Sequence, residues 1–314
     1  MDNKTFALFS GTSNPELAKE IAEYLKAPLG NVELTKFEDG ENYVNYLETI
    51  RGRNIFILQS TCRPQNDNIM ELLIMIDAAK RAAAEKITCV IPYFGYGKQD
   101  RKTQDREAIT AKLVAKILGA AGADAVLTMD LHSDQVQGFF DIRADFIYAS
   151  GPLLGYFTKK YGKDDLVVVA PDVGGSKRAR AYAKLLGCEI AIIDKRRPKP
   201  NQSEVVNLVG DVAGKKALIV DDEINTGGTI VHAAEAVMKN GAKEVYAMAS
   251  HAVFAGEAME RLEKSPLKEI IVTNSIPQDV KGFKKLRVIS VGPLIGESIR
   301  RLHEKESISK ILHD

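Results

Sequence analysis

The chain has almost no net charge. Its 43 lysines and arginines nearly balance 42 aspartates and glutamates, which leaves a formal charge of +1 at pH 7. A balanced chain offers no bulk electrostatic attraction to nucleic acid or to an anionic membrane. It also lacks any apolar run close to the ~18 residues that a membrane span requires. These absences argue against a general nucleic-acid binder and against an integral membrane protein.

Cysteine is scarce as well. The three cysteines (Cys62, Cys89 and Cys188) are odd in number, and no two of them have the spacing of a metal site or of a redox pair. A reduced, cytosolic setting is the simpler interpretation. The N-terminal residues lead directly into a predicted strand, without the pattern of a signal peptide. We therefore expect a cytoplasmic protein.

Several well-known catalytic motifs are missing. The sequence has no Gly-x-x-x-x-Gly-Lys-Ser/Thr and no Gly-x-Gly-x-x-Gly after a strand, so P-loop and nicotinamide binding lose their main support. Gly-x-Ser-x-Gly and His-Glu-x-x-His are absent too. The rings of Tyr93, Phe94 and Tyr96 lie near basic residues, but one such loop in a neutral chain is weak support for nucleic-acid stacking.

Short apolar runs alternate with helical patterns along most of the chain. Runs such as Ile87–Ile91, Ala125–Met129 and Leu166–Ala170 are typical of buried parallel strands. The predicted helices include Pro15–Leu25, with Ser13 or Asn14 as its cap, a helix that 66–68 cap, and a closing segment over Gly296–Ile311. The alternation predicts an α/β fold with mostly parallel sheets and helices on both faces. A length of 314 residues favours two domains. We place them at 1–149 and 150–296, with a C-terminal segment, about 297–314, that packs back on the first.

One stretch says most about function. The apolar run Ala217–Val220 predicts a buried strand, and the acidic pair Asp221–Asp222 follows at its carboxyl end. A turn of small residues, 225–229, then leads into a helical pattern over Ile230–Met238. In open α/β sheets, ligands bind outside the carboxyl ends of the strands. The stretch is therefore a candidate ligand site.

The residue types in this stretch indicate which ligand it binds. A turn with two glycines lets backbone N–H groups converge on an anion, and a helix N-terminus favours negative charge. Carboxylates repel a phosphate but accept hydrogen bonds from sugar hydroxyls. Phosphate at the turn and a diol at the acids together describe a ribose phosphate. The alternative is an acidic turn before a helix that threonine and glycine cap.

Other polar segments follow predicted strands. Lys36–Glu41 is a turn with an aromatic and three acids, and Lys98–Glu107 is dense in charge. His132 lies next to an acid at a strand's carboxyl end. Lys195–Asn201 carries four cations within five residues, and its prolines favour a loop. Each has a plain alternative: a solvated loop, a structural histidine or a basic surface hairpin.

Taken together, these segments resemble the ribose-phosphate diphosphokinases, which are the phosphoribosyl diphosphate (PRPP) synthases, close to class I. The resemblance covers essentially the whole chain. The segments that carry it are Phe37–Glu41, Ile91–Tyr96, Met129–His132, Gln137–Asp141, Asp172–Gly175, Asp194–Pro198 and the ribose-phosphate motif at 217–229.

This resemblance implies transfer of the diphosphate of ATP to the anomeric hydroxyl of ribose 5-phosphate, giving PRPP and AMP for nucleotide biosynthesis. It implies two phosphoribosyltransferase-type domains, magnesium as cofactor, and hexamers built from dimers in which Phe37 reaches a neighbouring subunit and stacks on adenine. The implied roles are catalysis by Lys195 and Arg197; ATP binding by Phe37, Asp39, Glu41, Lys98, Gln99 and Arg101; metal binding by His132 and Asp172; and ribose 5-phosphate binding by Asp221, Asp222, Asn225, Thr226, Gly227, Gly228 and Thr229.

Some positions depart from the family pattern. Asn225 stands where the family usually has Asp, and Lys98 stands where Arg is usual, which exchanges a bidentate fork for a point charge. Departures in the family's regulatory surface predict altered phosphate activation and ADP inhibition; they are Asp105, Ala108, Ala252 and Ala255. Two alternatives stay open: a non-catalytic regulatory homologue that assembles with a true synthase, and a phosphoribosyltransferase that consumes PRPP.

Overall fold

The computed structural model describes residues 4–196, 205–279 and 282–311. Within these ranges the chain forms two compact units. The first holds the described residues up to Ala149, the short segment Ser275–Pro277 and the residues from Ser290 onward. The second holds the described residues of Ser150–Asn274 and Gln278–Ile289. None of the helices in the described ranges is long and apolar enough to cross a bilayer.

The first unit contains a sheet of five parallel strands and a separate antiparallel pair. The sheet order is β1-β4-β5-β6-β7, and β2 pairs with β3. The bounds are β1 (Phe6–Ser10), β2 (Val32–Lys36), β3 (Asn42–Tyr46), β4 (Asn54–Leu58), β5 (Lys86–Ile91), β6 (Ala125–Met129) and β7 (Arg143–Ile147).

Three helices follow within the N-terminal part of this unit: α1 (Pro15–Leu25), α2 (Gln65–Arg81) and α3 (Thr110–Ala121). Helix α1 begins at the predicted residue, where the side chain of Asn14 accepts a hydrogen bond from the N–H of Leu17 at 3.3 Å. The prediction that 66–68 cap α2 is wrong, because the helix begins one residue earlier, at Gln65.

The second unit contains a seven-stranded sheet in the order β10-β9-β8-β11-β12-β13-β14. All neighbours are parallel except β10, which runs antiparallel to β9 at the edge. The bounds are β8 (Leu166–Ala170), β9 (Glu189–Arg196), β10 (Val205–Val209), β11 (Lys216–Ile224), β12 (Glu244–Ala252), β13 (Glu269–Thr273) and β14 (Leu286–Ile289).

Helices cover both faces of this second sheet. They are α4 (Ser150–Tyr161), α5 (Ser176–Leu186), α6 (Gly228–Lys239) and α7 (Ala258–Glu263). Alternate side chains along the strands, such as Ala217 and Ile219, lie on one face of the sheet and share a buried cluster with α6. Tyr246 of β12 points to the other face of the sheet from the β12 residues in that cluster. Its ring packs edge to face on the ring of Phe157 in α4. The sheet is therefore buried on both sides.

The last helix, α8 (Gly292–His303), belongs to the first unit and packs on α1. A Cβ at Gly296 would lie 2.6 Å from the ring of Tyr24, so glycine permits the close approach of the two helices. The hydroxyl of Tyr24 donates to Glu297 at 3.1 Å. The prediction of one helical segment over 296–311 is wrong at both ends, since α8 ends at His303 and a short 3-10 helix spans Ile308–Ile311.

The predicted fold class is confirmed: the chain is α/β, with two mostly parallel sheets that helices flank. Several elements were not predicted, namely β2, β3, β7, α4 and α7. Strands β2 and β3 are partly exposed along their length, so they lack the continuous apolar run on which the sequence interpretation depended.

Candidate active site

Strand β11 extends beyond its apolar residues and includes the acidic pair. Its pairing with β8 stops at Ile219, but its pairing with β12 continues to Ile224. The expectation that the acids follow the strand is therefore wrong, because Asp221 and Asp222 lie inside it. Both acids lie beyond the carboxyl end of β8, at the edge where ligands bind in such sheets.

Arg178, in the first turn of α5, holds both acids. Its Nη1 atom donates to Oδ1 of Asp222 at 2.8 Å and to Oδ1 of Asp221 at 3.1 Å. Asp222 is 4% exposed, whereas Asp221 is more accessible. Burial, followed by the charge of Asp222, raises the pKa of Asp221 well above its usual range, and Arg178 acts in the opposite direction. The pair is thus a confined, partly compensated negative centre.

The turn after β11 presents backbone donors. Gly227 adopts a left-handed conformation with φ of 75°, which a residue with a side chain rarely adopts. It is also the N-cap of α6, and no side chain caps that helix. The first N–H groups of a helix have no partner within the helix. An oxyanion at this turn would receive those donors together with the favourable end of the helix dipole.

Neighbouring segments hold this turn from behind. The backbone N–H groups of Val253 and Phe254 donate to the carbonyl of Ile224 at 3.0 and 3.1 Å. The N–H of Ala255 donates to the carbonyl of Asn225 at 2.9 Å. Arg261 of α7 donates from Nη1 to the carbonyl of Thr226 at 3.0 Å. The turn is therefore braced through its carbonyls.

Asp172 lies on the turn between β8 and α5. Its Oδ1 accepts the backbone N–H of Gly175 at 2.9 Å, and its side chain is exposed. A Cβ at Gly174 would lie 3.2 Å from that same oxygen, so a small residue keeps the turn tight. The carboxylate is held in place by one oxygen and remains accessible to a ligand.

In the first unit, the β5–α3 loop (residues 92–109) carries the predicted nucleotide contacts. Lys98, Gln99 and Arg101 are all exposed there. Gln99 is fixed to the start of α3, since its carbonyl accepts the N–H of Ala111 at 3.1 Å and its Oε1 accepts the hydroxyl of Thr110 at 2.6 Å. The two cations flank a residue that is locked in position.

The β6 loop (residues 130–133) carries His132. Asp130 has a left-handed φ of 43°, and its Oδ2 accepts the N–H of Ala149 at 2.8 Å. This side-chain bond fixes a sharp turn at the carboxyl end of β6, and His132 is exposed just beyond it. A Cβ placed on Gly97 would lie 3.9 Å from Cβ of His132, so the two loops are neighbours.

The turn with the aromatic residue is the tip of the β2–β3 hairpin. The N–H of Phe37 donates to the carbonyl of Glu41 at 2.9 Å, and the N–H of Glu41 donates to Oδ1 of Asp39 at 3.1 Å. The Phe37 side chain is 55% exposed and touches Tyr43 edge to face. An aromatic ring held on a well-formed turn, with its face not buried in its own unit, suits stacking on a planar ligand.

The predicted catalytic residues are described only in part. The prediction that the cationic loop begins at Lys195 is wrong, because β9 continues to Arg196 and Lys195 pairs with Val206 of β10. Arg197 lies outside the described residues. The backbone of Lys195 is thus part of an antiparallel ladder.

Two family models match the chain. Residues 6–122 match the N-terminal domain of ribose phosphate pyrophosphokinase, and residues 195–313 match a phosphoribosyl synthetase-associated domain. A ribose-phosphate pyrophosphokinase from Fusobacterium nucleatum is 53% identical over 308 residues, which cover 98% of each chain. One from Clostridium acetobutylicum is 52% identical over 313 residues, which cover 99% of this chain and 98% of that one. The chain belongs to the ribose-phosphate pyrophosphokinase family.

A solved structure of a related protein has the same fold as this chain. The phosphoribosylpyrophosphate synthetase from Mycobacterium smegmatis superposes with a TM-score of 0.91 at 41% identity, over 96% of this chain and 99% of that one. Both units therefore have the fold of this family, and the fold expectation from the sequence is confirmed at the level of topology.

The two residues expected to hold magnesium belong to different units: His132 to the first and Asp172 to the second. Within the described ranges, no three or more His, Cys, Asp or Glu side chains are grouped closely enough to hold a metal ion. Mg²⁺ usually keeps several waters and binds through one or two carboxylates plus substrate phosphates. The exposed carboxylate of Asp172 fits that mode, whereas the imidazole of His132 is a more usual ligand for transition metals.

Sequence reasoning missed three residues that shape the pyrophosphokinase site. Arg178 holds the acids, Arg261 braces the turn, and Asp100 joins the two loops of the first unit through Ser133. Arg178 follows the Asp172–Gly175 turn by three residues, which is the one signal that pointed to it. Nothing local marked Arg261 or Asp100, because their contacts cross 35 and 33 positions of the chain.

Proposed function

We propose that this chain transfers the diphosphate group of ATP to the anomeric hydroxyl of ribose 5-phosphate, giving PRPP and AMP for nucleotide biosynthesis. One observation carries the proposal: an acid pair, Asp221 and Asp222, lies on the same strand end as an uncapped helix N-terminus at Gly227. Full-length similarity to ribose-phosphate pyrophosphokinases supports the same reaction.

Ribose 5-phosphate binds at the end of β11 in this proposal. The phosphate takes the backbone donors of the turn from Asn225 to Thr229, and the hydroxyl of Thr229 lies in the first turn of α6. The ribose hydroxyls donate to Asp221, which is the more accessible of the two acids. Asp222 stays paired with Arg178 and keeps that cation at the site.

ATP binds through the first unit. Phe37 stacks on adenine, since its ring is exposed on a rigid hairpin tip, and Asp39 and Glu41 lie on the same tip. Lys98 and Arg101 contact the phosphates of the nucleotide. Gln99, which lies between them in the sequence, helps to orient it. The exposed position of Phe37 also supports a neighbouring subunit as its target, as expected for a hexamer built from dimers.

The reaction is a displacement at phosphorus. The anomeric oxygen of ribose 5-phosphate forms a bond to the β-phosphorus of ATP, the bond from that phosphorus to the α,β-bridging oxygen breaks, and AMP leaves as the hydroxyl proton is lost. Such transfers leave the protein to position groups and to stabilise charge. Lys195 and Arg197 supply positive charge at the transferred group.

Magnesium bound to the triphosphate would neutralise part of its charge. Asp172, with one oxygen held by Gly175 and an exposed carboxylate, is the residue of the second unit that fits this ion. His132 extends the set from the first unit. The three cysteines are free thiols, which supports the cytoplasm as the location of the reaction.

The test is AMP formation from ATP, measured by chromatography, with and without ribose 5-phosphate and magnesium. We expect AMP and PRPP in equal amounts when both are present and no AMP when either is omitted. Asp221→Asn should lose activity, whereas Asp164→Asn, which removes an exposed carboxylate of the second unit, should keep it. AMP that forms only from PRPP and adenine would instead indicate a phosphoribosyltransferase, and no turnover under these conditions would contradict the proposal.

A further inference from the structure

The carboxylate of Asp100 is buried inside an otherwise exposed loop. It lies between Gln99 and Arg101, both exposed, yet Asp100 is only 8% exposed. Charged side chains are seldom buried unless hydrogen bonds satisfy them. A buried carboxylate at this place in the β5–α3 loop therefore has partners that the loop alone does not provide.

Its partners lie on the β6 loop and in the 3-10 helix that directly follows it. Oδ2 of Asp100 accepts the hydroxyl of Ser133 at 2.5 Å and the side-chain N–H of Gln135 at 2.6 Å. Hydrogen bonds to an ionised acceptor are short and about twice as strong as neutral ones. Ser133 directly follows His132, the predicted metal ligand. Asp100 lies between Gln99 and Arg101, which are predicted nucleotide contacts. The hydrogen bond from Ser133 to Asp100 therefore joins the two loops that carry these predicted ligands.

The hydroxyl of Ser133 makes this bond instead of capping its own helix. It is the N-cap of a short 3-10 helix over Asp134–Phe139, a position where a serine hydroxyl usually accepts from the backbone of its own helix. No such side-chain bond exists here. The hydroxyl donates across to Asp100 instead, which indicates that the link between loops is the more favourable use of it.

The link is not needed to hold the β5–α3 loop on its own helix. Gln99 already anchors that loop to α3 through Thr110 and the N–H of Ala111. Asp100 therefore adds a separate constraint, and what it constrains is the distance between the β5–α3 loop and the β6 loop.

We propose that Asp100 is a positioning residue that fixes the β6 loop against the β5–α3 loop, so that nucleotide and metal are bound as one complex. The inference rests on the proposed function, in which Gln99 and Arg101 contact ATP and His132 contacts the metal carried by its phosphates. Loss of the link separates the two sets of contacts without touching the ribose 5-phosphate site at β11.

The experiment compares Asp100→Asn, Ser133→Ala and the double variant with the wild-type chain, and uses Asp164→Asn, at an exposed position, as a control of equal charge change. Binding of magnesium-ADP is measured by calorimetry, and turnover is measured at varied ATP, magnesium and ribose 5-phosphate. Asp100→Asn should weaken magnesium-ADP binding about tenfold, the size expected for a lost hydrogen bond to a charged group.

Two further results separate positioning from a general structural role. The double variant should bind no more weakly than Asp100→Asn alone, because in this proposal the hydroxyl of Ser133 affects binding only through the carboxylate of Asp100. The KM for ATP and the magnesium concentration for half-maximal rate should rise, while the KM for ribose 5-phosphate stays within twofold. Equal increases for both substrates, or unchanged magnesium-ADP binding in both single variants, would overturn the proposal.

Binding and turnover also keep the two proposals apart. A wild-type chain that binds magnesium-ADP but makes no PRPP overturns the proposed function alone. A chain that makes PRPP while its variants bind normally overturns the role of Asp100 alone, and a wild-type chain that neither binds magnesium-ADP nor makes PRPP overturns both. If Asp100→Asn does not fold, as judged by circular dichroism, Ser133→Ala carries the same comparison, because it removes one donor and leaves the carboxylate with Gln135.

Discussion

One guanidinium nitrogen of Arg178 lies 2.8 Å from Oδ1 of Asp222, and the same atom lies 3.1 Å from Oδ1 of Asp221. A single donor atom thus compensates two neighbouring carboxylates. Charge compensation at this point acts on the pKa of Asp221, because burial and Asp222 both raise that pKa and Arg178 lowers it. The first two predictions follow from this relationship.

Arg178→Gln should move the acid limb of kcat/KM for ribose 5-phosphate to higher pH. Arg178 lowers the pKa of Asp221, so its removal raises that pKa further and the carboxylate is protonated at a higher pH as the solution is acidified. At pH 7 we expect kcat/KM to fall about tenfold or more, since hydrogen bonds to charged groups contribute ~1.5–3 kcal/mol. Arg178→Lys keeps the charge and should show a smaller shift; an identical pH profile in Arg178→Gln would contradict the assignment.

Asp221→Asn should make the protein more stable as it loses activity. A carboxyl whose pKa is raised by folding ionises more readily in the unfolded chain, so its ionisation destabilises the fold as pH rises from the unfolded pKa through the folded one. Removing the carboxylate should raise the melting temperature by about 2–4 °C near neutral pH. Below pH 4 the two proteins should melt together, and a gain that persists there would point to a cause other than charge.

Gly227→Ala should damage the phosphate turn twice. The left-handed φ of 75° costs a residue with a Cβ ~1–2 kcal/mol, and the new atom would lie 3.1 Å from Cγ of Leu262. We expect a loss of stability of that size and at least a tenfold higher KM for ribose 5-phosphate. Gly214→Ala is the matched control, because Gly214 has a φ of 71° with nothing near its Cβ position. It should lose stability but keep its KM, which chemical denaturation and initial rates will show.

Phe37→Ala should raise the KM for ATP without lowering stability. The side chain is 55% exposed, so its removal uncovers little core. A stacked base is worth roughly 1–3 kcal/mol, which corresponds to a KM about tenfold higher. Leu113→Ala removes a side chain of similar exposure from α3 and serves as the control. Equal KM values for ATP in the two variants would remove Phe37 from the adenine site.

Lys195→Ala should lower kcat by about 10³- to 10⁵-fold, by analogy with cations that stabilise phosphoryl transfer. The β9–β10 ladder pairs Lys195 with Val206 through the backbone, so the variant should fold normally. Lys159→Ala, which removes an exposed cation from α4, should keep its full rate. Near-normal turnover in Lys195→Ala would end the catalytic assignment.

Local sequence pattern was sufficient for the buried framework. Ala125–Met129 and Leu166–Ala170 were predicted at their observed bounds, because central parallel strands are apolar throughout and end where polar residues begin. The same rule failed for β11, whose apolar residues end at Val220 while its pairing with β12 continues to Ile224. Hydropathy reports burial, and the last residues of this strand are held by a neighbour on one side only.

The candidate site was predicted by residue type, and its contacts were not. Asp221, Asp222 and the glycine turn were found because they are adjacent in sequence. The bonds from Arg178 to Asp221 and from Ser133 to Asp100 join residues 43 and 33 positions apart, and no local pattern encodes such pairs. The regulatory effect of Ala252 and Ala255 stays a prediction, as do the roles of Lys195 and Arg197.

The return of α8 to the first unit has a consequence for synthesis on the ribosome. The face of α1 that carries Tyr24 is covered by Gly296 and Glu297, which are synthesised after the residues of the second unit. A nascent chain that has released its first 149 residues still has that face open to water. Premature termination before Gly292 should therefore leave an aggregation-prone, protease-sensitive product rather than a folded N-terminal fragment.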